Sequence, residues 1–132
     1  MEYVVDTSVL LAVLIGAPAR DHLIARTQGA SLVAPASVHW EVGNALSALL
    51  KRRRLTLAEA QAVLLAYAAI PIRIVDIELP AALELADRFG LYAHDAYLMA
   101  CARRERAALL TVDPRLARTA REAGVQVVEV EA

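Results

Sequence analysis

Glu2-Tyr3-Val4-Val5-Asp6-Thr7-Ser8 is a short β-prone run that ends on an acid and passes directly into a helical stretch, Thr7 to Ile15, closed by Gly16. Ala108-Leu109-Leu110-Thr111-Val112-Asp113-Pro114 repeats the arrangement near the other end: an apolar strand, an acid, then a helix start. Strand runs that are apolar throughout, rather than alternating, belong to sheets buried on both faces. Between these two segments the same alternation continues. Pro18 suits the first turn of a second helix, Ser31 to Val33 is a strand candidate, and Ser37 to about Arg53 is a long helix. Thr56-Leu57-Ala58-Glu59 is a capping box opening a helix that ends near Ile70. Ile72 to Val75 is the next strand, and Pro80 opens a helix that stops at Gly90. A helix from about His94 to Arg106, one from Asp113-Pro114 to Gly124, and a last strand, Val125 to Val130, complete the chain. The expectation is an α/β domain over residues 1–132 with a mainly parallel sheet. In such sheets ligands bind beyond the carboxyl ends of the strands, where Asp6 and Asp113 stand.

Composition agrees. Of 132 residues, 58% are hydrophobic and 22% charged, enough for one core and far from the profile of disorder. The net charge of −1 excludes an obvious polycation. A lone cysteine, Cys101, excludes an internal disulfide and a thiolate zinc site. No apolar run spans a bilayer and no secretory leader is recognisable, so a reduced, cytoplasmic protein away from membranes is expected.

Four acids stand out. Asp6 and Asp113 each have a plain reading as helix caps. Glu41 lies on the rim of the apolar arc formed by Val38, Val42, Ala45, Leu46 and Leu49, with Asn44 on the same side. A carboxylate there must be paired with a base, hydrogen-bonded or metal-bound. Asp95 shares its helix face with Leu98, Met99 and Ala102, and sits in the first turn, where the helix dipole favours a carboxylate. His94 beside it is a structural residue, a ligand or a base. A carboxylate cluster without thiolates or a histidine set suits a hard cation, Mg²⁺ or Mn²⁺. The chemistry that follows is phosphodiester cleavage.

Val5-Asp6-Thr7-Ser8, Trp40-Glu41-Val42 with Asn44, His94-Asp95-Ala96-Tyr97-Leu98 and Leu110-Thr111-Val112-Asp113 together resemble the ordered motifs of PIN domains, and most of all the VapC toxins of toxin–antitoxin pairs. The resemblance runs over essentially the whole chain. It implies a three-layer α/β/α sandwich and a metal-dependent endoribonuclease with Asp6, Glu41, Asp95 and Asp113 as its acidic site. Asp6, Asp95 and Asp113 would hold Mg²⁺ or Mn²⁺, with Ser8, Thr111 and Asn44 in support. It also implies a homodimer neutralised by a cognate VapB-type antitoxin. Some PIN nucleases carry a further acid where this chain has Arg115, so one ion rather than two is expected.

With the four acids set aside, the rest of the chain is net positive. Arg52, Arg53, Arg103 and Arg115 are then candidate contacts for RNA phosphates. For Lys51 to Arg54 a solvated helix end is the plainer alternative. A receiver domain needs a second acid near Asp6 and a lysine at a later strand end, but Lys51 is the only lysine. A haloacid-dehalogenase-like phosphatase needs an aspartate where Ser8 stands. The surviving rival is a PIN domain that binds RNA or protein without cleaving.

Overall fold

Val4 and Val5 are both fully buried because their side chains leave opposite faces of one strand. The computed structural model describes residues 1–132. It places that strand, β1 (Glu2–Val5), at the centre of a five-stranded sheet. The others are β2 (Ser31–Pro35), β3 (Ile72–Val75), β4 (Ala108–Thr111) and β5 (Val127–Glu129), in the order β3-β2-β1-β4-β5. Every pairing is parallel. Val4 faces Val33 on one side and Leu109 on the other.

Seven helices cover the sheet: α1 (Thr7–Ile15), α2 (Arg20–Thr27), α3 (Ser37–Lys51), α4 (Leu57–Ala68), α5 (Leu79–Phe89), α6 (Ala93–Glu105) and α7 (Pro114–Glu122). Two cores follow from the alternation of the strands. Val4, Val33 and Leu109 pack with Leu85, Leu98, Met99 and Leu116 from α5, α6 and α7. Tyr3, Val5, Ala34 and Leu110 pack with Leu10, Leu23 and Val38 from α1, α2 and α3. The result is the three-layer α/β/α sandwich that the resemblance implied, with a sheet that is wholly, not mainly, parallel. No single helix is long and apolar enough to cross a membrane.

The chain runs outward from β1 through β2 to β3, then returns through α5 and α6 to lay β4 on the other flank of β1. The direction of winding therefore reverses between β1 and β4. Connections on opposite faces part there and leave a crevice at the carboxyl ends of the two strands. Asp6 follows β1, and Asp113 follows β4 by two residues.

Element ends differ from expectation where local chemistry decides. Gly16 stops α1 in the left-handed conformation, φ 82°, its N–H bonded to the Ala12 carbonyl. The second helix starts at Arg20, beyond Pro18. β2 runs on to Pro35, which pairs with Val75 past the last β1 partner, Val33, so the missing proline N–H breaks no bond to β1. α3 ends at Lys51, two residues early, and Arg53 takes φ 56°. The capping box at Thr56 forms in both directions, at 3.1 and 2.9 Å.

Candidate active site

Asp6 is 6% exposed, and its side chain does not cap α1. Its Oδ2 accepts two hydroxyl hydrogen bonds, from Ser8 at 2.6 Å and from Thr111 at 2.8 Å. Its Oδ1 takes no hydrogen bond from the protein and is not sealed from solvent. The two hydroxyls therefore engage one carboxylate oxygen and leave the other without a protein partner. Thr111 is fully buried and also accepts from the Asp113 backbone N–H at 3.0 Å. One threonine thus ties the ends of β1 and β4 together.

Asp113 does cap its helix: its Oδ1 accepts from the Arg115 N–H at 2.9 Å. The cap reading therefore holds for Asp113 and fails for Asp6, although their sequence contexts match. Glu41, half-buried on α3, has no basic partner. No ion pair of the chain includes any of the four acids. Its one hydrogen bond is long, 3.5 Å from the Asn44 amide.

Asp95 lies in the first turn of α6 without a capping bond. Its pKa is pushed up to about 6, first by burial, then by the charges of Asp6, Asp113 and Glu41, while Arg115 opposes the rise. The four acids therefore share one electrostatic site. No three acidic or histidine side chains converge closely enough to enclose a metal ion by themselves. That donor set still fits Mg²⁺, which keeps several waters and takes one or two carboxylates together with substrate phosphates. The free Asp6 Oδ1 and the raised Asp95 pKa both mark oxygens that a cation would satisfy.

Hydroxyls lie against both ring nitrogens of His94. Ser37 Oγ lies 2.8 Å from Nδ1 and Thr7 Oγ1 lies 3.1 Å from Nε2. Burial holds its pKa below the usual histidine value, against the opposing pull of Glu41 and Asp6. A neutral imidazole offers one donor and one acceptor, and the two hydroxyls match them. The ring joins the starts of α1, α3 and α6, beside Asp6, one turn before Glu41 and next to Asp95. Thr7 and Ser37 escaped the sequence reading. The available signals were that Thr7 follows Asp6 and that Ser37 precedes Glu41 by four, the spacing of one helix face.

The structure thus gathers Asp6, Glu41, Asp95 and Asp113 with Ser8, Thr111 and Asn44. Of the four arginines it brings only Arg115 to the acids. Arg103 lies eight residues along α6 from Asp95, about 12 Å at the helical rise, and donates to the Ala123 carbonyl at 2.8 Å. Arg52 caps the far end of α3, about 16 Å beyond Glu41 by the same measure. Arg53 follows it, exposed.

The chain is thus a wholly parallel α/β/α domain whose four candidate acids are electrostatically coupled. The family model for the PIN domain matches residues 3–122, and the chain belongs to that family. No curated protein matches the sequence. Among solved structures, VapBC2 from Rickettsia felis bound to a DNA fragment from their promoter is similar at a TM-score of 0.70 and 16% identity, covering 99% of this chain and 100% of that one. PAE2754 from Pyrobaculum aerophilum is similar at 0.75 and 25% identity, covering 97% and 84%. A domain of a functionally unknown protein from Methanocaldococcus jannaschii is similar at 0.58 and 21%, covering 99% and 91%.

Proposed function

We infer that this PIN domain is a Mg²⁺- or Mn²⁺-dependent endoribonuclease and the toxin of a VapBC-type pair. The observation that carries the reading is the set of four carboxylates at one crevice, none ion-paired, with Asp95 forced toward its protonated form by burial and by the other three. Asp6, Asp95 and Asp113 are the residues that would hold the cation. When bound, it supplies a Lewis acid for the scissile phosphate and lowers the pKa of a water.

The chain's own residues do the rest. Ser8 and Thr111 restrain Asp6 through Oδ2 and leave Oδ1 without a protein partner, open to ligation. Asp113 is held by its cap to the Arg115 N–H, which leaves Oδ2 for ligation. Glu41, steadied by Asn44, stands where a carboxylate can accept a proton from water or orient it. Arg115 offers a guanidinium to a phosphate oxygen at the same crevice. Arg52, Arg53 and Arg103 are too far from the acids for the scissile phosphate and would serve only a longer strand.

The partners follow from the same reading. Trp40, Leu57, Leu64 and Leu65 stand exposed on α3 and α4, and Leu79 and Leu83 on α5. Two apolar faces suit two associations, one with a second copy and one with a VapB-type antitoxin. The likeness to VapBC2 supports the second. A buried, unbridged Cys101 fits a reducing cytoplasm.

The test is incubation of the purified protein with total cellular RNA in Mg²⁺, in Mn²⁺ and in EDTA. Discrete fragments that need the cation support the reading. A folded protein that leaves RNA intact in all three favours a domain that only binds.

A further inference from the structure

A cleft of about 310 Å³ opens beside the acids, between the turn joining α5 to α6 and the start of α7. Asp95, Asp113 and Arg115 line it together with Phe89, Leu91 and Tyr92. Tyr92 is 88% exposed, the most exposed aromatic side chain in the molecule. It makes no capping hydrogen bond to α6, so its side chain has no structural duty there.

The backbone that presents it is nevertheless fixed. Gly90 ends α5 at φ 64°, and the Gly90 and Leu91 N–H groups both bond to the Ala86 carbonyl. On the other side the Tyr92 carbonyl accepts the Ala96 N–H at 3.1 Å. Leu91 turns inward onto the core, and Tyr92, the next residue, turns out. A fixed backbone thus presents an open aromatic ring at the edge of the acidic crevice.

The walls of the cleft differ in what they accept. A phosphate meets repulsion from Asp95 and Asp113 and attraction from Arg115. The uncharged part of a nucleotide has no reason to seek those groups, but its base can stack on an open aromatic face. We propose that Tyr92 and Arg115 form a nucleotide subsite beside the acids, an unpaired base lying on the Tyr92 ring and its adjoining phosphate on the Arg115 guanidinium. The assignment rests on the nuclease reading and adds the form of substrate. Bases inside a duplex are covered on both faces, so only a single-stranded RNA segment can fill this subsite.

Fluorescence anisotropy of a short, labelled, mixed-sequence RNA tests it, with Ca²⁺ in place of the catalytic ions so that the strand survives. The same strand annealed to its complement serves as the duplex probe. Base–aromatic stacking contributes about 1–3 kcal/mol. Tyr92→Ala is therefore expected to weaken single-strand binding about fivefold or more and duplex binding little, with Tyr92→Phe and Tyr92→Trp close to wild type. Equal binding by Tyr92→Ala and wild type would overturn the subsite alone. Equal weakening on both probes, or a loss as large in Tyr92→Phe, would overturn stacking as its basis. A wild-type protein that binds neither probe would remove the nuclease reading and the subsite together.

Discussion

Thr111 donates to Asp6 across 105 residues of sequence, 2.8 Å from Oγ1 to Oδ2, while accepting from the backbone of Asp113. The bond joins the two strand ends between which the sheet reverses, and the other Asp6 oxygen has no protein partner. Thr111→Val keeps the shape and removes both hydrogen bonds. It is expected to lower stability by about 1–3 kcal/mol, read by urea unfolding, and to weaken Mn²⁺ binding in titration calorimetry. Thr111→Ser should retain both properties.

Asp95 sets the pH dependence. Its folded pKa of about 6 lies above the ordinary aspartate value of 3.8, so the folded state holds the proton more tightly than the unfolded chain. Stability from this group is complete below the unfolded value and is lost as pH rises through about 6. Metal-free protein should show that decline in thermal unfolding, and Asp95→Asn should flatten it. Mg²⁺ or Mn²⁺ should raise the melting temperature more at pH values above about 6 than below, because protons compete for the same carboxylate.

Arg115 opposes the rise in the Asp95 pKa. Removing that charge in Arg115→Ala should move the acid limb of the pH–cleavage profile toward higher pH, and Arg115→Glu should move it further. Arg103→Ala, at the far end of α6, should leave the profile in place and lower stability through the lost bond to Ala123.

His94 holds three helix starts through Ser37 and Thr7. His94→Ala leaves both hydroxyls without their partner and should cost about 1–3 kcal/mol while weakening Mn²⁺ binding. His94→Asn, which can reach Ser37, and His94→Gln, which can reach Thr7, should each recover part of both losses.

These relationships show which parts of the molecule its sequence makes legible. Val4-Val5 and Leu109-Leu110 announce doubly buried strands because burial on both faces removes polar residues from them, and the acids that follow mark the crevice. The equivalence of Asp6 and Asp113 in sequence is misleading for a physical reason. Asp6 is turned away from its helix by Thr111, a contact between distant segments that no local pattern encodes. The partners of His94 lie 57 and 87 residues away and are hidden in the same manner. Arg103 looks available by charge alone, but its helix carries it toward the amino ends of the strands, away from the acids, where the Ala123 carbonyl engages it.

The most direct test is the rate at which Asp6→Asn and Asp95→Asn cleave an RNA that the wild-type protein cuts in Mg²⁺, with circular dichroism and cooperative unfolding confirming the fold of each. Cleavage reduced to background in both folded variants is the expected result. Wild-type turnover in both would contradict a carboxylate-centred nuclease site in this PIN domain.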